Sequence, residues 1–202
     1  MLADADNRLL RAMRTRGHSP GVERSMRALG ALGEWGAVWI ATSSALAAAD
    51  RERRKQWFAT ASIAPLAIGL NYAAKLAVRR PRPRLRGLPR LGPAPSELSF
   101  PSAHATSSFA AAAAIGRVAP RLQAPAYLTA IAISTTRPYL GLHYPSDVVA
   151  GAVLGIALGR VWPLPRDEEP DIPAMAELAR ETLGEPIATT PGAETNGNRA
   201  KG

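Results

Sequence analysis

Apolar residues along this 202-residue chain come in five long runs separated by short polar or charged segments. Residues 56–74 (QWFATASIAPLAIGLNYAA) carry no charge over 19 positions, and 28–49 carry only Glu34. Both runs approach the ~20 apolar residues that a helix needs to cross a bilayer. Three more follow at 102–116, 122–136 and 148–165, the last interrupted only by Arg160. These are shorter or less oily, but rich in Ala and Gly, which let helices approach closely. The pattern predicts an all-α, multi-pass transmembrane helical bundle of about five spans over 28–165, in preference to the buried core of a soluble helical protein. The whole-chain mean hydropathy of −0.07 hides this, because it averages the runs with a polar tail.

The flanking segments read differently. In 1–27, Leu9, Leu10 and Met13 recur at helical spacing among Arg8, Arg11, Arg14 and Arg16. That spacing predicts an amphipathic arm, either lying in the membrane interface with its arginines on lipid phosphates or simply solvated. No 7–15-residue apolar core precedes a small-residue cleavage site, so the start does not read as a signal peptide. The stretch 79–101 holds six arginines, six prolines and two glycines, a composition that forbids a helix and keeps the chain extended. From 166 onwards the chain is acidic and ends in Pro, Gly, Asn and Thr, which predicts disorder around a short helix at 174–183. The expected division is therefore an arm at 1–27, a transmembrane domain at 28–165 and an acidic tail at 166–202.

Charge sharpens that division. The chain has 25 Lys or Arg against 16 Asp or Glu, a formal +9. From Asp167 on there are eight acids and three bases, net −5, so the first 166 residues carry 22 bases against eight acids, net +14. A basic excess of this size suits anionic lipid or nucleic acid. Nucleic acid is disfavoured, because few aromatics accompany the arginines and they lie beside spans. The absence of cysteine excludes disulfides, thiolate metal sites and a cysteine nucleophile.

Three short clusters at the span ends carry the candidate chemistry. Lys75 is followed after six residues by Arg82-Pro83; Pro101-Ser102-Ala103-His104 opens the third run; Thr136-Arg137 precedes His143 and Asp147 between the fourth and fifth. An even number of crossings separates them, so all three fall on one side of the membrane. Three cations converging at a membrane boundary need an anion to offset their desolvation. Phosphate fits, since guanidinium offers forked donors and lysine a point charge. The Ser102 hydroxyl and the amides that open the third helix would complete a phosphate cradle. His143 and Asp147 are four apart. With a helix starting near Tyr144 they share a face, so Asp147 can hold the imidazole and leave its other nitrogen as nucleophile or base. His104 is suited to protonating a departing alkoxide.

These clusters resemble the type 2 phosphatidic acid phosphatase superfamily, which carries Lys-x6-Arg-Pro, Pro-Ser-Gly-His and Ser-Arg-x5-His-x3-Asp. The first pattern matches fully; Ala103 replaces glycine in the second, and Thr136 replaces serine in the third. The resemblance covers 28–165. It implies that His143 attacks phosphorus to form a phosphohistidine, that Asp147 orients it, and that His104 protonates the leaving oxygen and then activates water. It further implies that Lys75, Arg82, Ser102, Arg137 and the backbone at Ala103 bind the phosphoryl oxygens, with no metal and no cofactor, and that vanadate inhibits.

The implied substrate is a lipid phosphomonoester held at headgroup depth, of the phosphatidic acid, phosphatidylglycerol phosphate or polyprenyl phosphate type. Polyprenyl-linked sugar phosphates are further candidates, and a polyprenyl diphosphatase or lipid phosphotransferase using the same site is the alternative within enzymes. A non-enzymatic binder of anionic lipid is the alternative outside them. The implied location is a bacterial inner or plasma membrane. Arginine counting favours a cytoplasmic catalytic face and family analogy an outer one; the sequence leaves the face and the oligomeric state open.

Overall fold

The computed structural model describes residues 2–165 and Thr182. The acidic tail expected over 166–202, with its short helix at 174–183, lies outside the described residues apart from that threonine. Seven helices make up the unit Met1–Arg166: α1 (Leu2–Thr15), α2 (Pro20–Leu32), α3 (Ala37–Ala49), α4 (Arg54–Val78), α5 (Ala103–Val118), α6 (Gln123–Tyr139) and α7 (Pro145–Val161). Among the described residues there is no strand, only isolated bridges of Pro81 with Leu98 and of Leu85 with Leu88.

Helix α5 is the hub. Its alanines, serines and threonines are buried on nearly every side, as expected of a helix with no face to give to solvent. Helices α4, α6 and α7 pack around it. Helix α7 reaches it most closely because Gly151, Gly155 and Gly159 stand four residues apart on one face. A Cβ at Gly155 would strike the Thr106 carbonyl and come within 2.9 Å of the Ala110 nitrogen, and one at Gly159 would lie 2.6 Å from the Ala113 Cβ. A hydrogen bond from the Ser102 amide to the Asp147 carbonyl, 2.9 Å long, ties the start of α5 to the start of α7.

The run at 28–49 is not one helix. Helix α2 ends at Gly33, a single 3-10 turn follows at Glu34–Gly36, and α3 begins at Ala37. Trp35 (φ 54°) and Gly36 (φ 73°) take left-handed backbone conformations that end the helical path. The glycine at 33 is required by packing: a Cβ there would lie 2.5 Å from Ile133 Cγ2 and 2.9 Å from His104 Cδ2. Hydropathy stays uniform across this break, so the pattern alone shows no interruption.

The arm at 1–27 also differs from expectation. It forms α1 and the start of α2, joined through Gly17 (φ 70°), with Ser19 capping α2 and Pro20 opening it. Leu10 is fully buried. Arg14 faces the protein rather than lipid, donating to the carbonyls of Tyr139 (3.1 Å) and Pro89 (2.6 Å). The segment 79–101 is extended, as its prolines require. Arg82 N donates to Glu97 O (3.0 Å) and Ser99 N to Arg80 O (2.8 Å), while Arg90 forks onto the Glu97 carboxylate at 2.9 Å.

Among the described residues α4 is the one helix long and apolar enough to cross a membrane by itself; only 28% of its apolar window is buried. Helices α3, α5, α6 and α7 have 13, 16, 17 and 17 residues. Large apolar side chains nevertheless face outward on three helices: Phe58, Leu66, Leu70 and Leu76 on α4, Leu128 and Ile131 on α6, and Val149 and Val153 on α7.

Candidate active site

The three sequence clusters meet at one end of the bundle. Lys75 comes from the last turn of α4, Arg82 from the extended segment, Ala103 and His104 from the first turn of α5, Arg137 from the last turn of α6, and His143 from the turn before α7. These six line a single cavity of about 70 Å³, several times the space one water needs. Ser102 and Asp147 stand behind its wall, fully buried.

His143 is almost entirely buried. Arg82 Nη1 lies 3.0 Å from its Nε2. Guanidinium has only donors, so Nε2 must be the acceptor and the ring is neutral with its proton on Nδ1. Nδ1 faces Asp147 Oδ2 at 3.6 Å, a separation that closes by about 0.5 Å to make a full hydrogen bond. Burial among Arg82, Lys75 and Arg137 holds the imidazole well below its ordinary value, against the pull of Asp147. The free base thus has a lone pair at the cavity wall. Helix α7 starts at Pro145, and both Asp147 oxygens are held there: Oδ2 accepts from the Tyr144 amide (2.8 Å) and Oδ1 from Arg80 Nη1 (2.8 Å).

His104 is oriented from the opposite side. Its Nε2 lies 3.2 Å from the Gly30 carbonyl. A carbonyl only accepts, so that nitrogen carries the proton and Nδ1 is the one left for chemistry. The contact depends on α2 approaching through glycines at 30 and 33.

The cations lean on backbone carbonyls. Lys75 Nζ donates to Leu98 O and Ser99 O, both at 3.2 Å. Arg82 donates to Ser96 O (2.6 Å) and Leu142 O (2.7 Å). Among the described residues no carboxylate pairs with Lys75, Arg82 or Arg137, and Arg137 Nε and Ser102 Oγ are buried without a hydrogen-bond partner. Buried donors left open in this way need an acceptor. Thr136, by contrast, donates its hydroxyl to Ile133 O (2.6 Å) inside its own helix. Cavity residues not anticipated from sequence include Glu34 and Trp35 of the 3-10 turn and Ser107, one turn beyond His104. Only Ser107 left a signal, by lying on the same helical face as Ala103. Arg80 was indistinguishable among six arginines in its segment.

Comparison with known proteins agrees with this geometry. Residues 56–168 match the model of the PAP2 superfamily, and the chain belongs to that superfamily. A decaprenylphosphoryl-5-phosphoribose phosphatase of Mycolicibacterium smegmatis is 42% identical over 132 residues, 65% of this chain and 72% of the relative. The transmembrane PAP2-type phosphatidylglycerolphosphate phosphatase of Bacillus subtilis superposes with a TM-score of 0.61 at 25% identity, covering 78% of this chain and 82% of that one. LpxE of Aquifex aeolicus superposes at 0.59 and 26% identity, covering 75% and 90%. The protein is a phosphoric ester hydrolase, a membrane lipid phosphatase of the PAP2 type.

Proposed function

We propose that this chain removes the phosphomonoester from a sugar phosphate carried on a polyprenyl phosphate, through a phosphohistidine on His143. The observation that carries the reading is the His143 Nε2 lone pair at the wall of a cavity walled by three cations that have no carboxylate partner. An incoming phosphate dianion supplies the anionic acceptor that Lys75, Arg82 and Arg137 lack and draws the Arg82 donor off the His143 Nε2 lone pair. Nε2 then attacks phosphorus as Asp147 takes up the Nδ1 proton's positive charge. The P–O bond to the sugar breaks, and the departing oxygen takes a proton from Nδ1 of His104, which, with Nε2 already protonated, acts as the imidazolium formed once the phosphate anion is bound. Water, deprotonated by the same nitrogen, attacks phosphorus; the N–P bond breaks, and phosphate leaves.

The polyprenyl-linked sugar phosphate is favoured over other lipids by the 42% identity to a decaprenylphosphoryl-5-phosphoribose phosphatase. Five helices, α3 to α7, form the multi-pass part in a cell membrane. Support for this comes from the outward-facing apolar side chains on α4, α6 and α7, which water would penalise. The shorter helices, about 20 Å for α3 and about 25 Å for α5 to α7 at ~1.5 Å per residue, span a ~30 Å hydrocarbon core only with local thinning. The arm at 1–27 remains outside it.

The test is phosphate release in detergent from a prenylphosphoryl pentose 5-phosphate, phosphatidic acid, phosphatidylglycerol phosphate and a polyprenyl diphosphate, with His143→Ala as control. The sugar phosphate should be turned over fastest. Preference for the diphosphate would replace the monoester reading, and activity in His143→Ala would end the phosphohistidine one.

A further inference from the structure

Behind Asp147, on the side away from the cavity, a second set of charges closes on the N-terminal helix. Arg80 Nη1 donates to Asp147 Oδ1 and Ser146 Oγ, both at 2.8 Å, and its Nη2 donates to Asp6 Oδ2, also at 2.8 Å. Asp6, buried on α1, accepts in addition from the Ser146 amide (2.9 Å) and from the Ser146 hydroxyl. The Tyr144 ring lies 4.1 Å from the Arg80 guanidinium carbon. Asp6 lies well before the family match, which begins at 56.

We propose that Asp6 and Arg80 are positioning residues for the His143–Asp147 pair, so that α1 is part of the catalytic apparatus. Two features of the geometry carry this. First, orientation: Asp147 has one oxygen held by the Tyr144 amide and the other by Arg80, and Arg80 is itself pinned by Asp6 and the Tyr144 face. The carboxylate therefore presents a fixed lone pair to His143 Nδ1. Second, charge: one guanidinium serves two carboxylates. An arginine paired with Asp147 alone would cancel the negative charge that must stabilise imidazolium as phosphorus is attacked. Sharing that arginine with Asp6 leaves the trio net negative, so a negative charge remains to face the imidazolium. Asp6 acts only through Arg80 and Ser146; it touches no cavity atom.

This inference rests on His143 being the nucleophile. The experiment uses the full chain in detergent with Asp6→Asn, Arg80→Gln and the double variant, and follows kcat, KM and inhibition by vanadate and by orthophosphate. Vanadate takes a fifth ligand from a nucleophile and so reads His143 Nε2, whereas orthophosphate reads the cations. Each single variant should lose about tenfold in kcat with KM unchanged within about twofold. Vanadate inhibition should weaken in step with kcat while orthophosphate inhibition holds. The double variant should lose clearly less than the sum of the two single losses, because Asp6 reaches the site mainly through Arg80 and otherwise only through Ser146. Unchanged kcat, parallel weakening of both inhibitors, or additive losses would each overturn the proposal and leave these residues as a helix latch. Should Arg80→Gln fail to fold, Arg80→Lys paired with Asp6→Asn carries the same comparison. Activity in His143→Ala would instead overturn the underlying reading.

Discussion

The two sides of His143 are built on opposite principles. In front, Lys75, Arg82 and Arg137 crowd a small cavity where the Glu34 carboxylate also lies but, among the described residues, forms no ion pair with them, and their buried donors rest on carbonyls or stay open. Behind, Arg80 is enclosed by Asp6 and Asp147 at 2.8 Å each, and every charge has an opposite partner. The front is an electrostatically unfinished surface, stable only because the bundle forces it; the rear is complete without a ligand. On the proposed function, affinity for a dianion and rigidity of His143 come from different charges, and a substitution on one side should not resemble one on the other.

The largest effect expected is at the junction of the two sides. His143→Ala should lose phosphate release by about 10⁴-fold or more, as loss of a covalent nucleophile does, while the purified protein keeps its melting temperature. Lys75→Met or Arg137→Met should cost about 10²–10³-fold in kcat/KM by removing a group that stabilises transferring phosphoryl. Because these cations are buried without a partner, the same variants should raise the melting temperature in detergent. Arg80→Met should do the reverse, lowering stability by about 2 kcal/mol as two buried carboxylates lose their cation. If front and rear variants shift the melting temperature in the same direction, the contrast fails. Thr136→Val should change turnover by less than about threefold, since its hydroxyl is spent on Ile133 O and the lost bond is worth about 1 kcal/mol of stability.

The smallest effect lies at the rim. The Arg90 fork holds the exposed Glu97 carboxyl at about 2, below its usual 4.5. A depressed carboxylate stabilises the fold above its unfolded value and loses that contribution as pH falls through the folded one. The segment 84–96 should therefore become cleavable by pepsin between about pH 4 and pH 2, with the helices intact. Glu97→Gln should make it cleavable already at the upper end.

Of the eight site residues expected from the chain, six line one cavity and two back it. That was legible because most sit at or beside a helix end that hydropathy marks: Lys75 closes α4, His104 opens α5, Arg137 closes α6 and Asp147 opens α7. The helix start at Pro145 was legible as well, since proline suits a first turn. The Gly33–Gly36 break was not, because a pattern of apolar residues does not register a glycine whose need arises from His104 and Ile133, far along the chain and beyond any local rule. The inward turn of Arg14 escaped for the same reason: its partners, the Tyr139 and Pro89 carbonyls, are backbone groups with no sequence signal.

The sequence by itself determined what is chemically possible: an all-helical chain without cysteine, its chemistry confined to two histidines, an aspartate and three cations at predictable helix ends. Local propensity and residue type suffice for that, since proline, apolar period and side-chain charge act over a few positions. Which arginine faces the cavity and which meets Asp147, which nitrogen of each histidine carries the proton, and that the first helix reaches Asp147 through Arg80 were decided only in three dimensions. Each depends on donors and acceptors far apart in the chain, and a buried charge takes its role from the partner that the fold sets against it.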